Sequence, residues 1–177
     1  NELLNSNKAD NVTFNVISPG PYEFEDNSFD AIFSKDTFIH IPDKENLCKE
    51  LYRILKPGGF LAASDWMRRD DNPLSKQMYE YIQTEDLDMN MCSLSRYKDA
   101  LLSSGFIDIK LRDRNAWYFN IAKQEVRDIE NKFYNKLVEG IGFEKTQETI
   151  YVWKKMLGVL EIGEHRPGHF SAIKPFI

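Results

Sequence analysis

The chain has 177 residues, of which 42% are hydrophobic and 13% aromatic. This composition is that of a folded domain with one hydrophobic core, and it excludes a disordered chain. With 23 basic and 28 acidic residues the net charge is −5, which argues against nucleic acid or an anionic membrane as the main partner. We find no signal peptide pattern and no apolar run of transmembrane length. The two cysteines, Cys48 and Cys92, lack metal-ligand spacing, so we expect two reduced thiols in a cytoplasmic protein.

The first half of the chain predicts two short strands joined by one helix. Ala31–Ser34 is an unbroken apolar run, which is typical of a strand covered on both faces. A helix should begin at Pro42-Asp43, where the aspartate is a good N-cap, and should end at Lys56-Pro57-Gly58-Gly59. Phe60–Ser64 then forms the next strand and leads to Asp65. Two strands connected in this way are expected to be parallel, with a right-handed crossover.

Further elements are predicted on either side of this unit. They are a strand at Val12–Ile17, a helix at about Leu74–Gln83, a helix capped by Ser93 and ended by Gly105, a strand at Phe106–Leu111, a helical pair at about 120–162, and a last strand at His169–Lys174. The alternation of strands and helices indicates an α/β protein with a doubly wound sheet.

The carboxyl ends of the two parallel strands are the expected place for a ligand. Ser34-Lys35-Asp36 and Asp65-Trp66 occupy those ends. Two other patterns are not interpreted as sites. Gly140-Ile141-Gly142 joins two predicted helices and lacks the context of a cofactor loop. His165 and His169 are separated by a Pro-Gly pair that prevents a helical metal-binding face, so we expect no metal.

The stretch from Phe29 to Asp65 resembles class I S-adenosylmethionine-dependent methyltransferases. The resemblance rests on the Glu25–Asp30 segment, on the strand that follows and on Leu55-Lys56-Pro57-Gly58-Gly59. It implies a Rossmann-like sheet, here its C-terminal part, mostly parallel with an antiparallel last strand and helices on both faces. It also implies S-adenosylmethionine as the cofactor. Nearly all of the chain fits one such domain, truncated at its N-terminus, with a helical insertion at about 67–92.

Within that superfamily, Ser34–His40 is similar to the Ser-Arg/Gln-Asp-x-x-x-His segment of small-amine N-methyltransferases, such as the phosphoethanolamine and sarcosine/dimethylglycine enzymes. The resemblance implies that Asp36 and His40 contact the amine and support catalysis. It places Ser34, Lys35 and His40 against the cofactor. It also implies that Ser18 and Pro19 line the adenine pocket.

Elementary chemistry agrees with the roles of Asp36 and His40. A carboxylate attracts an ammonium group, and an imidazole can accept a proton near neutral pH. If residues 37–41 form one helical turn, both side chains face the same side. The alternative is that Asp36 only caps this turn and that His40 only packs near the helix start.

Aromatic residues near the strand ends are candidate walls of a cage for a methylated ammonium. Trp66, Trp117 and Tyr118 are the substrate-binding candidates, because an aromatic face attracts a cation. Tyr97 is a further candidate, but for this residue a place in the core is the expected alternative.

Three features depart from the family pattern. Ser18 stands where the family has an acidic residue that holds the adenine amino group. Leu87-Asp88-Met89 stands where phosphobase enzymes have a phosphate-binding Arg-Lys-Tyr cluster, and Trp66 replaces a tyrosine that contacts phosphate. These differences favour an acceptor without phosphate, while a phosphobase stays open.

The glycine-rich loop of this fold and its acidic partner are not found in the chain, which begins at Asn1 with what resembles the end of a helix. Three interpretations remain open. The chain is a piece of a whole enzyme, which we favour, or a half domain that forms a homodimer across an open sheet edge, or a non-catalytic binding module.

Overall fold

Four strands form one mixed sheet. The computed structural model describes residues 11–18 and 20–176, and within them the strand order is β1-β2-β4-β3. The strands are β1 (Phe29–Lys35), β2 (Leu55–Arg68), β3 (Ile107–Asp113) and β4 (His165–Ile173). β1 is parallel to β2, whereas β4 is antiparallel to both of its neighbours. The predicted parallel pair and the antiparallel last strand are confirmed.

The described chain also contains six α-helices and one 3₁₀ turn at Phe38–His40. The helices are α1 (Lys44–Ile54), α2 (Lys76–Glu85), α3 (Leu94–Ser104), α4 (Asn115–Glu130), α5 (Tyr134–Ile141) and α6 (Phe143–Glu161). None of the helices in the described residues combines the length and the apolar character needed to cross a lipid bilayer.

Two hydrophobic clusters divide the molecule. In the first, α1 and α3 cover one face of the sheet, with residues such as Leu51, Leu61 and Leu101 fully or almost fully buried. In the second, α2, α4 and α6 pack together around Met78 and Val159, both without exposed surface. The candidate active site lies where this second cluster meets the carboxyl ends of β1 and β2.

Helix α1 begins as the sequence predicts, because the Asp43 side chain accepts a hydrogen bond from Asn46 N at 2.8 Å. Its predicted end is wrong. The helix stops at Ile54, and Leu55 already belongs to β2, where it pairs with Phe29. Pro57 disfavours the helical conformation of the residue before it, so the chain becomes extended before the glycines rather than at them.

The predicted strand at Val12–Ile17 is also wrong. These residues form no strand, and their side chains are exposed, that of Val16 completely. A strand needs a neighbouring ladder to satisfy its backbone groups. No strand of the described chain forms a hydrogen-bonded ladder with this segment, so a high β propensity alone does not produce a strand.

The C-terminal third differs from the prediction in its boundaries. The helical pair expected at about 120–162 is three helices, α4 to α6, because a turn after Glu130 interrupts the first. Strand β4 begins at His165 rather than His169. Pro167 was expected in a turn, but it lies within β4, where it pairs with Trp66. The fixed φ of proline is compatible with extended backbone.

A side chain added at Gly105 is expected to destabilise the protein, whereas one added at Gly140 is expected to stabilise it. Gly105 ends α3 with a φ of +100°, and a Cβ there would lie 3.1 Å from the Tyr52 ring. We expect Gly105→Ala to lower the free energy of unfolding by roughly 1–3 kcal/mol. Gly140 lies within α5, where an added Cβ would make no contact within 4 Å, and Gly140→Ala should raise stability by roughly 0.5–1 kcal/mol. Urea unfolding of both variants measures the two changes in the free energy of unfolding. If both changes had the same sign, the left-handed conformation at the end of α3 would be contradicted.

Candidate active site

A cavity of about 330 Å³ opens at the carboxyl ends of β1 and β2. Asp36 and His40 border it from the segment after β1, and Trp66 borders it from β2. The other walls come from the 3₁₀ turn, α2, α4, α6 and the loop after α2: Ile39, Tyr81, Glu85, Leu87, Met89, Tyr118, Val152, Trp153 and Met156. The structure therefore brings together four of the residues that the sequence proposed as site residues: Asp36, His40, Trp66 and Tyr118.

Asp36 turns the chain out of β1. Its backbone N donates to Ser64 O at 2.9 Å, which continues the β1–β2 ladder, and its φ is +51°. Aspartate tolerates this left-handed conformation better than most residues. The carboxylate is partly exposed and lies 3.8 Å from Lys35 Nζ. Within the described residues the 3₁₀ turn has no side-chain cap, so Asp36 does not act as the cap that the alternative required.

His40 is held in one tautomer. Its Nδ1 lies 2.9 Å from the backbone carbonyl oxygen of Asp88, in the loop after α2. A carbonyl oxygen only accepts hydrogen bonds, so Nδ1 carries the hydrogen of the neutral ring. Nε2 then keeps its lone pair. The contact with Asp88 thus leaves His40 able to accept a proton at the cavity.

The turn that carries His40 is fixed from two sides. Beneath it, the fully buried Lys44 donates through Nζ to Phe38 O at 2.6 Å and also to Ile41 O. Above it, Asn90 N donates to Ile39 O at 2.8 Å. Burial lowers the pKa of Lys44, while the nearby Asp65 acts in the opposite direction. The position of His40 therefore depends on contacts with both the helix after the turn and a distant loop.

Asp65 lies under the cavity rather than in it. It is 2% exposed, and its Oδ1 accepts from Trp66 N at 2.9 Å. Its Oδ2 finds no hydrogen-bond partner among the described residues. Burial raises the pKa of Asp65 to about 6, although the Trp66 N–H and Lys44 both favour the ionised form. Asp65 is thus a buried acid, costly to ionise, that supports the cavity floor.

The aromatic wall is built on a buried histidine. The Trp66 ring stacks on the His165 ring at 4.6 Å with an angle of 6°, and Tyr118 packs edge-on against Trp66 at 5.1 Å. Burial lowers the pKa of His165 to about 3, so the imidazole is neutral at neutral pH. Burial, together with the nearby carboxylates of Glu125 and Asp36, raises the pKa of Tyr118 to about 12. The imidazole of His165 and the phenol of Tyr118 are therefore both uncharged at neutral pH.

Two of the candidate aromatic residues lie elsewhere. Trp117 is 54% exposed and is outside the cavity, with the guanidinium carbon of Arg114 3.8 Å from its ring centroid. Tyr97 is 1% exposed and stacks on Phe170 in the first hydrophobic cluster, as its core alternative predicted. The role of Trp117 in substrate binding stays a prediction to which this placement lends no support.

The candidate cofactor residues lie along the outer side of β1. Ser34 and Lys35 border a separate open groove of about 430 Å³ that also includes Phe33 and Thr37. Ser18 is exposed in the segment before this groove, and Pro19 lies outside the described residues. Of the proposed cofactor residues that the structure describes, only His40 borders the main cavity.

Several cavity residues were missed by the sequence reasoning. The sequence indicates Tyr81 and Trp153 only as apolar helix positions, and it assigns no role to Glu85. Tyr81 and Glu85 are four residues apart on α2, a spacing that places them on one helix face and could have linked them. No sequence signal relates either of them to Trp153 on α6. A search of the described chain finds no cluster of three or more His, Cys, Asp or Glu that could hold a metal ion.

Comparison with known proteins points in one direction. Residues 2–63 match the family model described as a methyltransferase domain. Phosphoethanolamine N-methyltransferase 1 of Arabidopsis thaliana is 32% identical over 163 residues, which are 92% of this chain and 32% of that protein. The chain resembles the class I S-adenosylmethionine-dependent methyltransferases. It spans about a third of the length of the curated relatives that it matches first.

Solved structures agree with this methyltransferase resemblance. Haemonchus contortus phosphoethanolamine N-methyltransferase 2, in complex with phosphomonomethylethanolamine and S-adenosylhomocysteine, has a TM-score of 0.78 and 28% identity over 87% of this chain and 35% of that chain. A putative sarcosine dimethylglycine methyltransferase from Galdieria sulphuraria has a TM-score of 0.83, with 24% identity over 99% of this chain and 64% of that one. The predicted Rossmann-like methyltransferase fold is confirmed.

The buried Asp65 should make the stability of this methyltransferase-like chain depend on pH. Its pKa is about 6 in the folded state and 3.8 ordinarily, so between these values the folded state binds the extra proton. The contribution of Asp65 to the free energy of unfolding therefore falls by about 3 kcal/mol as the pH rises through this window. We expect Asp65→Asn to gain stability relative to the wild type by up to this amount between about pH 4 and pH 7.

Urea unfolding of both proteins at each pH measures the gain, and effects of other groups cancel in the difference. Asp99→Asn, on the exposed side of α3, is the matched control and should show no such gain. A difference between Asp65→Asn and the wild type that stays constant with pH would contradict the raised pKa.

Proposed function

We propose that the protein carrying this chain transfers a methyl group from S-adenosylmethionine to the nitrogen of a small amine or amino acid. The observation that carries the proposal is one cavity bordered by Asp36, by His40, whose Nε2 has no hydrogen-bond partner among the described residues, and by Trp66. The resemblance to phosphoethanolamine N-methyltransferases supports the reaction class. The cofactor supplies an electrophilic methyl group on a sulfonium.

The two polar residues act on the acceptor. Asp36 attracts the ammonium form of the amine and orients it, because opposite charges at this partly exposed position favour its approach. His40 Nε2 accepts the proton that blocks the nitrogen lone pair. With S-adenosylmethionine bound, the N–C bond would form as the sulfonium S–C bond breaks, and His40 would hold the proton until solvent removes it. Most of the remaining rate enhancement comes from holding the nitrogen in line with the methyl group.

The residues on the outer side of β1 fit a role in holding the cofactor. The groove there is open and mostly apolar, which suits a planar ring, and Ser34 and Lys35 add a hydroxyl and a cation at its border. The groove lies next to Asp36, and the turn at residues 36–40 joins it to the acceptor cavity. Ser18 and Pro19 extend the same proposal to the segment that precedes β1.

Cytoplasmic localisation is part of the proposal and rests on the thiols. Cys48 and Cys92 are free and buried, and burial raises the pKa of each to about 12. Thiols of this kind are unreactive and need no oxidising compartment.

A second candidate is a non-catalytic module that binds a partner or forms a homodimer. The outer edge of β1 is unpaired among the described strands, and Phe33 and Phe60 are 76% and 44% exposed. An edge of this kind can pair with another chain. Calorimetry with S-adenosylmethionine separates the two candidates, because the module would not bind it. Sedimentation at several concentrations then tests the homodimer.

Substitution of the two polar residues tests methyl transfer. We expect His40→Ala to lower kcat/KM by about 10²–10⁴-fold, the usual contribution of a positioned acid or base. Asp36→Asn should act mainly on KM, since it removes charge attraction but keeps the side-chain shape. Transfer of a labelled methyl group in the natural full-length protein measures both.

The control variants carry the same changes elsewhere. His169→Ala lies at an exposed position of β4 and Asp99→Asn at an exposed position of α3, and both should keep wild-type rates. Wild-type rates in His40→Ala and Asp36→Asn would contradict the assignment of these two residues.

A further inference from the structure

The charge of the cavity narrows the class of acceptor. Two of its lining residues are carboxylates, Asp36 and Glu85, and they come from different elements, the end of β1 and the end of α2. Within the described residues, no lysine or arginine lines this cavity. The rest of the lining is His40 and apolar or aromatic side chains.

Glu85 adds to a negative potential that its helix already provides. It is the last residue of α2, and no basic residue lies in the last turn of that helix. The exposed carbonyl groups at a helix C-terminus carry partial negative charge. Tyr81 lies one turn earlier, and burial followed by the charge of Glu85 raises its pKa, which agrees with a carboxylate close to the cavity wall.

Three lysines that are close in sequence to cavity residues each lie near a carboxylate. On α6, Lys154 and Lys155 follow the cavity residue Trp153, but Lys154 pairs with Glu130 at 2.5 Å and Lys155 with Glu80 at 3.0 Å. Lys35 lies 3.8 Å from Asp36, outside the lining, and its side chain is 69% exposed. None of these three lysines is therefore placed to bind an anion inside the cavity.

We propose that this cavity accepts a small amine whose only charges are positive, such as an amino alcohol or a short diamine, and that Glu85 is the residue that selects it. The proposal rests on the proposed methyl transfer and makes it more specific. A phosphate or carboxylate on the acceptor would lie between Asp36 and Glu85 without a cationic partner, which is unfavourable.

The aromatic wall also favours a positively charged acceptor. Trp66 and Tyr118 both border the cavity, and a cation is attracted to an aromatic face within about 6 Å. A volume of about 330 Å³ is at the small end of ligand cavities, which suits an acceptor of a few heavy atoms. Because Asp36 and Glu85 both border the cavity, an acceptor with a hydroxyl or a second ammonium beside its amine can interact with both carboxylates.

A panel of acceptors tests the selection in the natural full-length protein. The panel contains ethanolamine, N-methylethanolamine, 1,3-diaminopropane, sarcosine and phosphoethanolamine, each assayed by transfer of a labelled methyl group. We expect the first three to have higher kcat/KM than the two acceptors that carry an anionic group.

Variants of Glu85 connect the selection to this residue. Glu85→Gln should raise KM for ethanolamine about fivefold, as expected for loss of one partly exposed charge pair, with little change in kcat. Glu85→Lys should raise the ratio of kcat/KM for phosphoethanolamine over that for ethanolamine by about 25-fold. It changes the charge by two units, whereas Glu85→Gln changes it by one. Glu144→Gln, the same change at an exposed position of α6 outside the cavity, is the control and should leave the ratio unchanged.

The outcomes separate this inference from the proposed function. Methylation of phosphoethanolamine or sarcosine in preference to the other amines overturns the charge selection but leaves methyl transfer in place. Equal ratios in wild type, Glu85→Gln and Glu85→Lys overturn the role of Glu85. If no amine is methylated and calorimetry detects no S-adenosylmethionine binding, the proposed function itself fails, and the selection fails with it.

Discussion

The candidate site depends on one buried amino group. Lys44, in the first turn of α1, donates to Phe38 O and Ile41 O, the two carbonyl groups that flank the turn carrying His40. Phe38 O also accepts from Ile41 N at 3.0 Å, so Lys44 adds a second hydrogen bond to this carbonyl group and one to Ile41 O. Lys44 Nζ also lies 5.7 Å from the Tyr97 ring centroid, in the core under the site. The same side chain therefore stabilises the first hydrophobic cluster and fixes the position of the proposed base.

Sheet register explains why the acid and the aromatic wall meet. β1 and β2 are parallel, with Lys35 opposite Ser64, so the residues after each of these positions emerge at the same edge of the sheet. Asp36 follows directly on β1, and Trp66 lies two residues after Ser64 on β2. The antiparallel pairing of β4 then places His165 next to this edge, opposite Arg68, where its ring supports Trp66. The wall thus arises from strands that are far apart in sequence.

Local signals predicted the part of the structure that depends on local contacts. The Asp43 cap, the Ser93 cap and the left-handed Gly105 are each determined within a few residues, and all three are found. Val12–Ile17 failed because a strand requires a partner that its own sequence does not contain. Glu85 and Trp153 reach the cavity only because α2 and α6 pack on the same cluster, and helix packing of this kind has no signature in a single sequence. Asp36 and His40 were found through a motif, whereas the tautomer of His40 depends on Asp88, 48 residues away.

Two buried ionisable groups, Asp65 and His165, contact Trp66. Their contributions to folding stability depend on pH in opposite directions. The pKa of His165 falls to about 3, so the unfolded chain binds its proton more readily and acid destabilises the fold below about pH 6.5. The pKa of Asp65 rises to about 6, so in the overlapping range acid stabilises the fold. The two effects partly offset. Trp66 contacts both groups, by stacking on His165 and by donating its backbone N–H to Asp65. Between about pH 4 and pH 6 the stability of the fold is therefore less sensitive to pH than either group alone would make it.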